Sequence, residues 1–135
     1  MGRYAVAYLA TGIAFAAIDS VWLKTMATRL YQPEIGELLA DRFRLGPAIV
    51  FYLLYILGIM IFAVGPALRS GDWKVALVNG AMLGFMAYMT YDLTNYATLK
   101  VWSLKVTIFD MIWGTVLTGL AAASGAAITN RAMPA

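Results

Sequence analysis

The sequence predicts an all-α membrane protein, a four-helix transmembrane bundle with a short interfacial helix in its first loop. Of the 135 residues, 62% are hydrophobic and only 13% are charged, whereas soluble domains carry about 25% charged residues. The mean hydropathy is +0.76. Four apolar segments approach the roughly 20 residues that a helix needs to cross a bilayer. At this length we expect a single transmembrane domain over residues 1–135.

The four predicted spans cover residues 4–23, 47–67, 75–94 and 106–128. The first follows Arg3 and has features of a signal peptide, but we predict a retained transmembrane helix. Pro47 suits the first turn of the second span. The links RSGDWK and LKVWSLK are short, so the spans on either side of each are expected to be antiparallel neighbours. An even number of spans places both termini on one side.

The first loop contains a helical pattern of its own. Within PEIGELLADRF at 33–43, apolar residues recur at helical spacing, namely Ile35, Leu38, Leu39 and Phe43. Acidic residues occupy other positions around the same helix. This pattern predicts a short interfacial helix over about 33–43 that lies on the membrane. The alternative is an ordinary solvated connector.

The basic residues give little information about orientation or soluble partners. Six of the ten Lys and Arg lie on the side of the long loop, so the positive-inside rule favours a cytoplasmic long loop only weakly. No basic tract of the kind that binds nucleic acid occurs, and no nucleic-acid partner is predicted. We predict membrane lipids as partners, with Arg42 and Arg44 holding a headgroup. A homo-oligomer or a larger membrane complex is a second kind of assembly that we consider.

The residue types that are missing narrow the chemistry. The chain has no cysteine and no histidine, which removes thiolate ligands, the usual haem ligand and the commonest zinc ligand. No spacing of acidic residues matches a recognised metal motif, and we predict neither a metal nor a cofactor. A hard cation held by carboxylates and an Asn carbonyl is kept as a minor alternative. Acid–base chemistry would use carboxylates, Lys, Tyr or Asn.

Three of the seven acidic residues fall inside the predicted spans. Asp19 lies near the end of the first span, Asp92 near the end of the third, and Asp110 near the start of the fourth. Because the first and third helices run in one direction and the fourth runs back, we expect all three at similar depth in one leaflet. An isolated charge at the centre of a membrane helix costs about 2.5–3.5 kcal/mol, and less near the interface. Their convergence therefore indicates a shared polar site.

Two further patterns support contact between these helices. DSVW at 19–22 and DMIW at 110–113 each place a Trp one turn after an Asp, on the same helical face. Residues at four-residue spacing in the third span are Gly80, Gly84, Tyr88 and Asp92. Small residues at this spacing allow membrane helices to approach closely. We therefore expect the first, third and fourth helices to pack through faces that each carry an Asp.

The predicted site combines carboxyl groups with aromatic and polar side chains. Its proposed catalytic residues are Asp19, Asp92 and Asp110, because carboxyl groups sharing a low-dielectric site cannot all ionise freely, and a protonated one can act as general acid. The predicted ligand-binding residues are Trp22, Trp113, Tyr52, Tyr55, Tyr88, Asn95, Lys105, Arg42 and Arg44. The alternative is a structural network of Asp–Lys pairs and Trp N–H donors, with tryptophans and tyrosines in an aromatic belt.

Four segments carry a resemblance to a known family: DSVWL (19–23), FYLLYILGIMIFAVGPAL (51–68), GAMLGFMAYMTYDLTNYATLKVW (80–102) and DMIWGTVLTG (110–119). They resemble DUF2177, a bacterial family of small predicted membrane proteins. The resemblance covers nearly the whole chain and, with the four spans, implies a multi-pass protein of the bacterial inner membrane. It implies no catalytic residue, because the function of the family is undefined.

Three hypotheses follow from these observations. In the first, the polar site binds, and in a stronger form modifies, an amphipathic lipid-like molecule that enters from one leaflet. In the second, the protein is a non-enzymatic accessory or assembly subunit whose polar network fixes helix register. In the third, it is a small transporter, for which a chain of this length would need to oligomerise. The sequence leaves open whether the protein is an enzyme.

Overall fold

The computed structural model describes residues 2–135, and every regular element in that range is helical. Four long helices form an antiparallel bundle: α1 Gly2–Leu38, α2 Leu45–Ser70, α3 Trp73–Thr98 and α4 Leu104–Ala132. Each contains one of the four segments predicted to span the membrane. The predicted all-α fold and four-helix bundle are confirmed.

The four helices differ in how well they suit a bilayer. Three of them, α1, α2 and α4, are long and apolar enough to cross a membrane. The remaining helix, α3, has 26 residues but a more polar composition, since it includes Asn79, Asp92, Asn95 and three threonines. The crossing of the membrane by α3 therefore stays a prediction.

Close packing of α4 against α3 and α1 depends on small residues. A Cβ atom added at Gly84 would lie 2.2 Å from the carbonyl oxygen of Gly114, and one added at Gly80 would lie 2.8 Å from the Cβ of Ala122. The backbones of α3 and α4 therefore touch, as the GxxxG pattern predicts. On the other side of α4, a Cβ atom at Gly125 would lie 1.9 Å from the side-chain oxygen of Thr11 in α1.

The helix α1 continues beyond its predicted end. A π-helical turn covers Ala27–Tyr31, an α-helical turn covers Gln32–Ile35, and a 3₁₀ turn completes the helix at Gly36–Leu38. Within this extension Leu30 and Ile35 are buried and pack with Val106 near the start of α4. The extension is therefore docked on the bundle.

This arrangement corrects the interfacial helix predicted over 33–43. The helical structure is present, but it is continuous with α1 and ends at Leu38, and residues 39–44 are not helical. The reason lies in Ile35, which packs into the bundle, so part of the apolar pattern reflects contact with α4. Phe43, counted as part of the same helical face, is 86% exposed in the loop.

The two halves of α2 pack differently. Its second half contains most of its buried residues, and a π-helical turn at Met60–Val64 precedes Pro66. Because Pro66 has no N–H, the carbonyl of Phe62 loses its helical donor, and the side-chain amide of Asn79 donates to that carbonyl at 3.1 Å. The first half is mostly exposed, including Leu54 and Leu57. The loose packing of this half leaves space between α2 and α3.

Candidate functional site

The three aspartates inside the predicted spans meet at the end of the bundle that carries the long loop. Asp19 of α1 is 8% exposed and Asp92 of α3 is completely buried, while Asp110 of α4 is half-buried. Their surroundings differ, and each is described in turn. The structure thus brings together the three carboxyl groups that the sequence analysis grouped.

Asp19 is hydrogen-bonded through both of its carboxyl oxygens. The hydroxyl of Tyr52 in α2 donates to Oδ2 at 2.8 Å, and the indole Nε1 of Trp113 in α4 donates to Oδ1 at 3.2 Å. The carboxyl group of Asp19 therefore links three helices. Two donors from neutral side chains stabilise a buried carboxylate without a cationic partner.

Asp110 receives its hydrogen bond from a residue that the sequence analysis missed. The hydroxyl of Tyr31 donates to Oδ1 of Asp110 at 2.6 Å, and the same hydroxyl accepts from Nε1 of Trp22 at 3.0 Å. Tyr31 ends the π-helical turn of α1. Such a turn changes the direction of the following side chains and leaves no clear mark in the hydrophobic periodicity, so no sequence signal selected Tyr31.

The two Asp–Trp motifs are connected crosswise. Trp113 of the second motif donates to Asp19 of the first, and Trp22 of the first reaches Asp110 of the second through Tyr31. The rings of Trp22 and Trp113 stack, with centroids 4.4 Å apart and planes 7° from parallel. In antiparallel helices, the Asp of one such motif is level with the Trp of the other. The crosswise pairing was therefore available from the sequence, although only the shared depth of the aspartates was predicted.

Asp92 has no hydrogen-bond donor. Neither of its carboxyl oxygens has a partner within residues 2–135, although the side chain is completely buried. Its principal charged neighbour is the carboxyl group of Asp110. Most buried polar groups in proteins are hydrogen-bonded. An unpartnered carboxyl group beside a second one therefore indicates a candidate functional site in this part of the bundle.

A cavity of about 390 Å³ lies between α2, α3 and α4 beside these carboxyl groups. Its lining residues are Phe51, Tyr55, Ala87, Tyr88, Tyr91 and Asp110. Phe51 is 47% exposed and Tyr91 is 58% exposed, so the cavity opens toward the side of the bundle. Asp110 is the charged residue of this otherwise aromatic and apolar wall.

Two tyrosines form the inner wall of the cavity. The ring of Tyr88 lies against Gly114, where an added Cβ atom would come within 2.1 Å of the ring. The hydroxyl of Tyr88 lies within electrostatic range of Asp19 and Asp110. The hydroxyl of Tyr55 forms a hydrogen bond of 2.9 Å with that of Thr118 in α4. Tyr55 and Tyr88 were both predicted as site residues, and both line the cavity.

Four of the predicted ligand-binding residues lie outside both the cavity and the hydrogen-bond network of Asp19 and Asp110. Lys105, Arg42 and Arg44 are exposed, and Asn95 is half-buried one turn beyond Tyr91. None of them lines the cavity. The donors to Asp19 and Asp110 are tyrosine and tryptophan side chains. The Trp N–H donor to Asp19 is of the kind that the structural alternative expected, whereas neither carboxyl group receives a hydrogen bond from a lysine within residues 2–135. Long basic side chains near a helix end can reach the headgroup region instead.

Metal-binding groups were also compared with the predicted chemistry. Within residues 2–135, no group of three or more His, Cys, Asp or Glu side chains is arranged to hold a metal ion. Asp19 and Asp110 belong to the crosswise network, Asp110 also lines the cavity, and Asp92 lies beside Asp110.

Comparison with known proteins places the chain in a family. No match was found among curated proteins or solved structures. A family model described as "Predicted membrane protein (DUF2177)" matches residues 4–127, which include all three aspartates and both Asp–Trp motifs. This match and the three long apolar helices identify a membrane-embedded protein. The chain belongs to the DUF2177 family of predicted membrane proteins.

Proposed function

We propose that this protein binds an amphipathic, lipid-like molecule in the cavity between α2, α3 and α4. The observation that carries the proposal is the cavity itself, a space of about 390 Å³ that opens toward the side of the bundle and contains Asp110. Its volume lies in the range of small-molecule sites, which are mostly apolar with a few polar groups that fix orientation. A lateral opening admits a molecule from the membrane without passage through water.

Different parts of the lining contact the head group and the chain of the bound molecule. Asp110 and the hydroxyl of Tyr88 offer polar contacts for a head group at the inner wall. Phe51 and Tyr91 flank the opening, where an acyl or alkyl chain leaves the cavity for the bilayer. In the stronger form of the proposal, which includes chemistry on the bound molecule, Asp110 is the group that would exchange a proton with it, with Asp92 beside Asp110.

In this proposal all four helices cross the inner membrane of a bacterium. The polar composition of α3 is compatible with crossing because its polar side chains are satisfied or covered by protein. Asp92 is completely buried, Asn79 donates to a carbonyl of α2, and the hydroxyl of Thr90 donates to the carbonyl of Met86 at 2.6 Å. Burial against neighbouring helices removes much of the cost of polar groups in a membrane.

The test is to fill the cavity with a larger side chain. Ala87→Phe places a ring in the space, and Val78→Phe adds the same ring at a position of α3 that is 56% exposed and far from the cavity. Each protein is purified in mild detergent and transferred to nanodiscs. The amphiphiles that remain bound through purification are then identified by native mass spectrometry.

We expect the wild type and Val78→Phe to retain the same bound amphiphile and Ala87→Phe to lose at least about nine-tenths of it, which corresponds to about 1.4 kcal/mol or more of binding free energy. Equal retention by all three proteins would place binding elsewhere on the surface. An absence of any retained amphiphile in the wild type would also contradict the proposal.

A structural role has a separate observation in its favour. Asp19 is fully hydrogen-bonded and links α1, α2 and α4, as expected for a group that fixes helix register in an accessory or assembly subunit. This role concerns the network around Asp19 and not the cavity.

A further inference from the structure

We propose that the cavity selects amphiphiles with a cationic ammonium head group, which Asp110 and the surrounding aromatic rings hold together. The inference rests on the proposed function, because it specifies the chemical class of the molecule that the cavity binds. Three observations support it: the charge of the wall, the arrangement of its rings, and the unpartnered carboxyl group behind it.

The charge of the wall is negative, and within residues 2–135 no cationic side chain is hydrogen-bonded to it. Asp110 lines the cavity, and Asp92 lies next to it. The side chains that contact Asp110 and its donor are Tyr31 and Trp22, which carry no charge. The nearest basic residue in sequence, Lys105, is exposed. A carboxylate in apolar surroundings is stabilised most by a cation, and a cationic ligand supplies one.

The rings of the wall suit an ammonium group. Four of the six lining residues are aromatic, namely Phe51, Tyr55, Tyr88 and Tyr91. Phe51 and Tyr55 stack with centroids 5.2 Å apart and planes 17° from parallel, whereas Tyr55 and Tyr88 meet at 66° with centroids 6.5 Å apart. The rings thus form walls at an angle to one another. Ring faces attract cations, and aromatic cages recognise substituted ammonium groups in this way.

The unpartnered carboxyl group of Asp92 favours a cationic head group over a neutral or an anionic one. Both oxygens of Asp92 lack a donor within residues 2–135, and an anionic head group near Asp110 would place a second negative charge beside that carboxyl group. A neutral alcohol would donate one hydrogen bond and leave the charge unchanged. An ammonium group supplies positive charge to Asp110, which lines the cavity, so the order of preference is expected to be amine, alcohol, carboxylate.

The test compares three probes with one chain length: dodecylamine, dodecanol and dodecanoate. Each is titrated against protein in phosphatidylcholine nanodiscs at neutral pH, and binding is measured as displacement of a fluorescent alkylamine from the protein. Empty nanodiscs give the partitioning of each probe into the lipid, which is subtracted. We expect dodecylamine to bind at least tenfold more tightly than either of the other probes.

Variants assign this preference to the cavity. Asp110→Asn keeps the shape of the side chain and is expected to remove the preference for the amine, so that dodecylamine binds no more tightly than dodecanol. Asp41→Asn, which removes an exposed carboxylate from the long loop, is the control for membrane-surface charge and is expected to change nothing. If Asp41→Asn reduced the preference as much as Asp110→Asn, the inference would be overturned.

A second pair of variants covers the case in which Asp110→Asn does not fold. Tyr91 is 58% exposed at the cavity opening, so its replacement is compatible with folding. Tyr91→Leu is expected to weaken dodecylamine binding about threefold and dodecanol binding by a smaller factor, while Tyr91→Phe retains the ring and the affinity. Equal weakening of both probes by Tyr91→Leu would overturn the role of the rings.

The outcomes also separate this inference from the proposed function. If all three probes bind the wild type equally and Ala87→Phe abolishes their binding, the cavity is an amphiphile site but the selection for cations is overturned. If Ala87→Phe leaves the binding of every probe unchanged, both the site and its selectivity are overturned.

Discussion

Asp19 and Asp92 are both buried carboxyl groups at the same end of the bundle, yet one is saturated with hydrogen bonds and the other has none. Asp19 accepts from Tyr52 and Trp113, whereas neither oxygen of Asp92 has a partner within residues 2–135. A saturated carboxyl group holds its neighbours in place. An unsaturated one is costly to the fold, and Asp92 lies beside Asp110, the carboxyl group that lines the cavity. The difference indicates that the polar end of the bundle has a structural half around Asp19 and a binding half around Asp92 and Asp110.

The largest expected effect is on stability, at Asp19. Asp19→Ala removes the acceptor of two buried donors, the hydroxyl of Tyr52 and the indole N–H of Trp113, and we expect it to lower the free energy of unfolding by about 3–5 kcal/mol. Asp19→Asn keeps one acceptor oxygen and should lower it by about 1–3 kcal/mol. Unfolding in mixed micelles with increasing denaturing detergent measures both.

The matched control for these variants is Ser20→Ala, at the exposed neighbouring position of α1. Its hydroxyl donates to the carbonyl of Ala16 within the same helix and contacts no other element, so a change within about 0.5 kcal/mol is expected. If Asp19→Ala were no more destabilising than Ser20→Ala, the structural half of the comparison would be wrong.

The opposite sign is expected at Asp92. Asp92→Leu removes a buried carboxyl group that has no donor to lose, and we expect it to raise the free energy of unfolding by about 1 kcal/mol, because apolar replacements of buried charges are often neutral or stabilising. The same micelle assay measures it. A loss of more than about 2 kcal/mol would show that Asp92 is held by interactions of the kind seen at Asp19, and the distinction between the two halves would fail.

Much of this arrangement could be predicted from the sequence, because two simple rules determine it. Hydropathy gives the number and place of the helices, and alternation of their direction brings Asp19, Asp92 and Asp110 to one end. The glycines at 80 and 84 predict contact between α3 and α4, and the Cβ distances at both positions agree. These features depend on composition and spacing along one helix at a time.

The features that were missed depend on geometry between helices. Tyr31 reaches Asp110 because a π-helical turn redirects the chain, and the hydrophobic pattern does not encode that turn. Arg42 and Arg44 were grouped with the site because they lie on the same side of the membrane, but they are exposed in the loop. Sequence spacing also could not reveal that Asp19 is saturated and Asp92 is not, since that depends on which side chains the neighbouring helices bring.

Tyr31, which connects the two halves, has a further expected effect on stability and the smallest expected effect, which is on ligand binding. Its hydroxyl donates to Asp110 and accepts from Trp22, so Tyr31→Phe removes two hydrogen bonds while the ring stays packed. We expect the free energy of unfolding to fall by about 1–2 kcal/mol. Tyr96→Phe, at a position of α3 that is 46% exposed, serves as the control and should change stability by less than about 0.5 kcal/mol.

The same variant, Tyr31→Phe, is also expected to change ligand binding, which tests the distinction between the structural half and the binding half. Without the hydroxyl of Tyr31, Oδ1 of Asp110 loses its donor, and the carboxyl group becomes more dependent on a cation in the cavity. Tyr31→Phe should therefore bind dodecylamine about two- to fivefold more tightly than the wild type, a gain of about 0.4–1 kcal/mol, even as the folded state becomes less stable. Dodecanol, which brings no charge, should bind as before. If amine binding were instead lost together with stability, Tyr31 and Asp110 would belong to the structural half, and the binding half would be reduced to the cavity walls.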